Sequence, residues 1–239
     1  MDVVRQTVPL FEKVRIIGSD TGTSVDAYTE DMHVFLEADL VPAPELAGAF
    51  GVSNLSGLKK LFDSAIYKSD EAELLARRTA RGDEDFVSEL VFRDGHGGQF
   101  RFQTISPKLM IPQRPKLKAL KWTVAVEPSR AKINELIELA GMLVQFEQSF
   151  SVKFDGNTLL LHIGSRDGNG HSATVPLASD VETGALPTCS FRANYLVTLL
   201  KTVGNWPLTV RFAPEDGVAG LLIKTDHGSY NYVLRGRDD

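Results

Sequence analysis

Side chains able to do chemistry are few in this chain of 239 residues. Its five histidines, His33, His96, His162, His171 and His227, do not stand at the spacing of paired metal ligands. His162 and His171 flank a glycine-rich turn, Gly164 to Gly170, but no third ligand is near, so they read as strand and turn residues. Asp167-Gly168-Asn169-Gly170 lacks the closing glutamate of a calcium loop and reads as a hairpin turn. The single cysteine, Cys189, excludes an internal disulfide and a zinc ribbon. It reads as buried filler in a strand rather than as a nucleophile. The chain contains no phosphate loop, dinucleotide fingerprint or nucleophile elbow. The expectation is a protein that is not an enzyme, with no catalytic residue, no metal and no cofactor.

What remains is a pattern of cations. Arg5, Lys13 and Arg15, then Lys59 and Lys60, then Arg130 and Lys132, then Arg192 and Lys201, lie on or beside four amphipathic stretches. From Gln99 to Val126 there is no acid, but Arg101, Lys108, Arg114, Lys116, Lys118 and Lys121 are present. Cations on helix faces can meet phosphates, and they can equally be an ordinary solvated surface. The total seems to argue the other way: 26 Lys+Arg against 31 Asp+Glu give a net charge of -5. Acids such as Asp70, Glu71, Glu73, Asp83, Glu84 and Asp85 sit away from the basic stretches, so distribution matters more than sum. A hydrophobic content of 43% is that of a folded globular chain. No apolar run reaches the roughly 18–20 residues of a membrane span, and no secretory leader is visible. No membrane partner is expected, and one cysteine fits a reducing, cytoplasmic setting.

The elements that must carry these cations follow from periodicity. A first helix is expected over about Val4 to Val14, with Val4, Val8, Phe11 and Val14 on one face. A second runs about Leu55 to Ile66 behind the cap Asn54, and a third about Ser129 to Leu143. A fourth, about Ala193 to Val203, ends at Gly204. Most of the rest reads as strands and hairpins, turning at Asp94-Gly95, Asp155-Gly156 and Glu215-Asp216-Gly217, with a final strand over Ser229 to Leu234. Pro107, Pro112 and Pro115 forbid a helix or central strand between them and mark an extended connector. The expected organisation is an N-terminal domain over 1–106, a connector over 107–118 and a C-terminal domain over 119–239. Each domain reads as two β-rich units with one helix apiece, an α+β class with antiparallel sheets.

The order of these elements resembles the DNA polymerase sliding clamps, closest to the bacteriophage branch and related to proliferating cell nuclear antigen. Phe35-Leu-Glu-Ala-Asp39 followed by Asn54-Leu-Ser-Gly-Leu58 is similar to the phage-clamp strand and second helix. Phe191 to Lys201, Leu208 to Phe212 and Ser229 to Leu234 are similar to the closing helix and strands of phage and cellular clamps. The resemblance implies two similar clamp domains, each with two helices, and a homotrimer whose six domains form a ring around double-stranded DNA. It implies further partners: a DNA polymerase, held for processive synthesis, and a clamp loader.

The same resemblance assigns roles. Helices would line the ring, turning Arg5, Lys13, Arg15, Lys59, Lys60, Arg130, Lys132, Arg192 and Lys201 toward phosphates. Glu135 and Glu138 give the third helix a mixed field. The joining edges would be Gln99–Ile105 and Ser172–Ala178. Leu109, Met110 and Ile111 would rim a pocket for partner peptides, with Tyr232 and Leu234 as its floor. Two other readings stand beside this one: a monomeric or hetero-oligomeric processivity or checkpoint factor of the same fold, and an α+β ligand-binding protein or hydrolase.

Overall fold

The structure, a computed structural model, describes residues 2–81, 84–110, 119–145, 148–164 and 170–237. It divides into two compact units. The first comprises Met1–Thr29 with Leu36–Lys116, and the second Glu30–Phe35 with Leu117–Asp239.

In the first unit α1 (Asp2–Thr7) leads into β1 (Lys13–Gly18), β2 (Thr23–Tyr28) and β3 (Val34–Leu40), of which Val34 and Phe35 count with the second unit. Then β4 (Gly48–Ser53) precedes α2 (Leu55–Asp63), β5 (Glu73–Arg81), β6 (Glu84–Arg93) and β7 (Gln99–Gln103). The strands pair in the orders β4-β1-β2-β3 and β5-β6-β7. In the second unit β8 (Val124–Val126) precedes α3 (Arg130–Leu143), β9 (Ser149–Asp155), β10 (Thr158–Ile163) and β11 (Ala173–Ala178). There β12 (Phe191–Arg192) precedes α4 (Ala193–Thr202), β13 (Leu208–Ala213), β14 (Val218–Thr225) and β15 (Gly228–Arg235). The orders are β11-β10-β9-β12 and β15-β14-β13-β8.

A repeat of strand, helix and three strands thus recurs. The strand ahead of α2, α3 and α4 joins the sheet of the other repeat of its unit: β4 pairs with β1, β8 with β13, and β12 with β9. Strand faces explain the layering. Buried and half-exposed residues alternate along β2 and β10, the signature of a sheet covered on one side by helices. In the second unit α3 lays Ile133, Leu136 and Ala140 inward, and Phe150 stacks on Phe191 with ring centroids 5.1 Å apart. In the first, Phe92 sits against Phe62 and Tyr67, at 5.2 and 5.5 Å.

Most expected elements are present, and the first helix is the exception. It stops at Thr7, and Lys13, Val14 and Arg15 belong to β1. Pro9 is the reason: in a continued helix its ring would clash with the carbonyl of Arg5, and it has no N–H to donate. The chain turns instead, with Leu10 and Phe11 donating to the Thr7 carbonyl. Val14 is buried as a strand residue. Its place in the expected helical stripe was coincidental.

Met110 in the connector and Trp122 shortly after it are each seated on a glycine of their own unit. Met110 lies over Gly51 of β4, where a Cβ would collide with Met110 Cγ. Trp122 lies over Gly220 of β14, where a Cβ would come within 2.6 Å of the indole. The expected features at Ile111 and along 112–118 fall outside the described residues, as does most of the 164–170 turn.

Candidate nucleic-acid interface

The helices pack in pairs, α1 with α2 and α3 with α4, one pair in each unit. Their starts are fixed locally. Asn54 adopts a left-handed backbone (φ 52°, ψ 48°), which asparagine tolerates, and its Oδ1 accepts from the Gly57 N–H at 3.1 Å. Any side chain at position 57 would run into that cap, since a Cβ would sit 2.7 Å from Asn54 Nδ2. Ser129 Oγ accepts from the Lys132 N–H at 3.3 Å and caps α3. The Gly204 backbone, at φ 57°, follows α4.

These helices carry two kinds of cation. Four of the expected nine are already engaged by acids. Arg15 reaches Asp26 at 2.7 Å across the β1–β2 ladder. Lys59 bonds Asp63 one turn along α2, and Lys68 approaches the same carboxylate at 3.9 Å. Together these cations, Lys59 foremost through its hydrogen bond, hold the Asp63 carboxyl below its ordinary range. Lys132 meets Glu135 at 2.5 Å. Arg192 meets Asp31 at 3.0 Å, and the same carboxylate accepts from the Tyr195 hydroxyl at 2.6 Å.

The other five, Arg5, Lys13, Lys60, Arg130 and Lys201, are exposed and form no ion pair among the described residues. Each helix therefore keeps one exposed, unpaired cation: Arg5 on α1, Lys60 on α2, Arg130 on α3 and Lys201 on α4. On α3 the unengaged acid is Glu138, so its exposed face is electrically mixed. Lys13 and Arg15 are strand residues, a correction to their expected place on or beside the first helix. Nothing in this arrangement activates a nucleophile or a water, and no group of three His, Cys, Asp or Glu among the described residues could hold a metal.

The fold is that of the PCNA sliding clamps. The structure superposes on PCNA from Thermococcus kodakaraensis with a TM-score of 0.69, at 14% identity, over 99% of this chain and 95% of that one. It superposes on A. fulgidus PCNA, solved with the C-terminal region of FEN-1 bound, with a TM-score of 0.70, at 15% identity, over 100% of this chain and 94% of that one. No protein-family model matches the chain, and no curated protein matches it. At such identities the agreement is one of clamp fold, α+β with antiparallel sheets.

The two expected joining segments are sheet edges in this clamp fold. Residues 99–103 form β7, the outer strand of β5-β6-β7, and 173–178 form β11, the outer strand of its sheet. The expected peptide-pocket residues scatter by burial. Leu109 is 79% exposed, whereas Met110 is interior at 2%. Tyr232 and Leu234 lie within the core, 0% and 2% exposed, and burial pushes the Tyr232 phenol far above its ordinary value. As an exposed lining, the expected pocket is represented among the described residues by Leu109 alone. The engaged cations escaped sequence reasoning. The Lys59–Asp63 pair, four apart on a helix, was open to detection. Asp31 and Tyr195, 164 positions apart, were not.

Proposed function

We propose that this protein is a DNA polymerase sliding clamp of the bacteriophage type. In this reading it does no chemistry of its own. Copies join head to tail into a homotrimer that encircles duplex DNA irrespective of sequence and tethers a replicative polymerase in the host cytoplasm. One observation carries the reading: the match to two PCNA structures along essentially the whole chain, rather than over one shared domain.

The site supports it. Two helix pairs, each helix with one unpaired cation, offer phosphates a sparse and salt-sensitive surface. A ring holds by topology, so sparse contacts are an advantage; tight base readout would stop it sliding. The net charge of -5 is compatible, because the total does not set the field along one surface.

The partner site belongs to the connector. Exposed Leu109 precedes Met110, which is pinned on Gly51, so the connector leaves the first unit at a fixed point with an apolar residue outward. Short peptides of the polymerase and of a clamp loader dock there in this reading. A. fulgidus PCNA was solved with the C-terminal region of FEN-1 bound, which supports a protein partner in general.

Retention on nicked circular DNA, compared with retention on the same DNA linearised, tests the function. The assembled protein, loaded by its loader, is expected to stay on the circle and run off the ends. Equal escape from both overturns encirclement. Light scattering should give about 79 kDa for three chains, against 26.2 kDa for one.

A further inference from the structure

In an antiparallel ladder each residue turns its N–H and C=O to the same neighbour, and successive residues alternate sides. In the first unit the Asp94 N–H bonds the Gly98 carbonyl at 3.2 Å, and the Thr104 N–H bonds the Ser88 carbonyl at 3.0 Å. Even-numbered residues of β7 therefore face β6, and Gln99, Arg101 and Gln103 turn their backbone groups to the open edge. Ile105, next in that series, exchanges both of its bonds with Gly51, which ends the edge.

In the second unit the Gly164 N–H bonds the Ser149 carbonyl at 3.0 Å, so even-numbered residues of β10 face β9. Leu161 and Ile163 then face β11, opposite Val175 and Ala173. That leaves Ser172, Thr174 and Pro176 turned outward, and Pro176 has no N–H.

From this geometry we infer that the next copy of this chain docks on β11 in a single register, set by Pro176 on one side and by Phe100 and the start of β11 on the other. Arg101 of β7 stands opposite Thr174, Gln103 opposite Ser172 and Gln99 opposite Pro176. The inference rests on the head-to-tail ring proposed above. In this register two residue pairs exchange two bonds each and the Gln99–Pro176 pair makes one, so the missing donor falls at the end of the ladder. Phe100, 45% exposed, then lies opposite Val175 in a non-hydrogen-bonded pair, where side chains approach most closely.

Sliding by two residues so that Arg101 meets Pro176 puts the missing donor at the centre. It also sets Gln99 against Ala178, whose backbone is paired with Leu159. Sliding the other way sets Gln103 against Gly170, three residues ahead of β11, and reduces the partner of Phe100 to Ala173. Twofold joints are disfavoured as well. Two β7 edges would oppose Arg101 to Arg101, and two β11 edges would leave two proline positions without donors.

Disulfide trapping in the full chain, with Cys189→Ser, tests the register. Hydrogen-bonded cross-strand pairs have Cα atoms about 5.5 Å apart, within disulfide reach. Arg101→Cys with Thr174→Cys should link copies under mild oxidation on the order of tenfold faster than Arg101→Cys with Ser172→Cys, or Gln103→Cys with Thr174→Cys. A shifted pair linking faster, or no pair linking in an assembly of trimeric mass, overturns the register and leaves the ring standing. No linking in a chain that scatters as one copy overturns the ring itself. Pro176→Val, which supplies the absent donor to the Gln99 carbonyl, should slow subunit exchange about fivefold. Unchanged or faster exchange removes the role given to Pro176.

Discussion

The two units repeat one plan but finish it differently. The second has a fourteen-residue α3 and a ten-residue α4, and the first has six-residue α1 and nine-residue α2. The sheet β11-β10-β9-β12 has four strands, whereas β5-β6-β7 has three among the described residues. At β11 the inward-facing Val175 and Leu177 are already covered, at 1% and 3% exposure. At β7, Phe100 is left half open. One edge is apolar and unfinished, and the other is covered and short of one donor. A protein whose two edges are unlike each other can join unlike to unlike and cannot easily join like to like.

The difference in helix support predicts the largest effect. Leu136 on α3 and Leu58 on α2 are both buried, at 1% and 3%. Replacing either by alanine should cost about 2–5 kcal/mol. Both tryptophans, Trp122 and Trp206, belong to the second unit, so their fluorescence reports that unit alone. In urea, Leu136→Ala should shift the fluorescence transition together with the circular dichroism. Leu58→Ala should move the dichroism while leaving fluorescence behind. Identical behaviour of the two variants would show the units unfold as one body.

The two glycine seats sharpen the same contrast. Gly51 meets Cγ and Sδ of Met110, an unbranched side chain that can repack, whereas Gly220 meets a rigid indole and Arg211 Cγ at 3.3 Å. Trp122 is further held by the Arg211 guanidinium 4.3 Å from its ring centre. Gly220→Ala should therefore destabilise by about 1–3 kcal/mol and change the tryptophan emission. Gly51→Ala should cost less and alter access to the connector, read as faster proteolysis after Lys108. Equal costs would mean that Met110 is as firmly held as Trp122.

Charge reversal comes next. Arg5→Glu with Lys60→Glu in the first unit, or Arg130→Glu with Lys201→Glu in the second, should each reduce the slope of log affinity for duplex DNA against log salt by about two. Lys132→Gln, which removes a cation already engaged by Glu135, should change it by less than one. If only one unit's pair matters, the DNA lies against that unit.

Much of this was legible in the residues, and the exceptions have physical causes. Asn54, Ser129 and Gly204 marked three helices because capping is a local property of one or two side chains. The first helix was overextended because apolar spacing at Val8, Phe11 and Val14 fits a helix until Pro9 is weighed against it. Strand β5, Glu-Leu-Leu-Ala-Arg-Arg-Thr-Ala-Arg, is built of good helix formers and is held extended by pairing with β6. Cation positions were readable. Their neutralisation was mostly not, because Arg192 finds Asp31 only through the folded chain.

The smallest effect separates an engaged cation from an available one. Asp63 is exposed and has its carboxyl held below the ordinary value near 3.8, chiefly by Lys59. A carboxyl lowered by folding adds stability that is present above its unfolded pKa and lost as pH falls through the lowered folded one. Asp63→Asn should therefore flatten a slight acid-side fall in stability below about pH 4 and leave neutral stability nearly unchanged. The same substitution releases Lys59 and removes the pull on Lys68. The salt slope for DNA should then rise by up to about one, with affinity increasing accordingly. An unchanged slope, with the acid-side change present, would place the outer side of α2 away from the phosphates. The unpaired Lys60 would then be the cation by which that helix meets DNA.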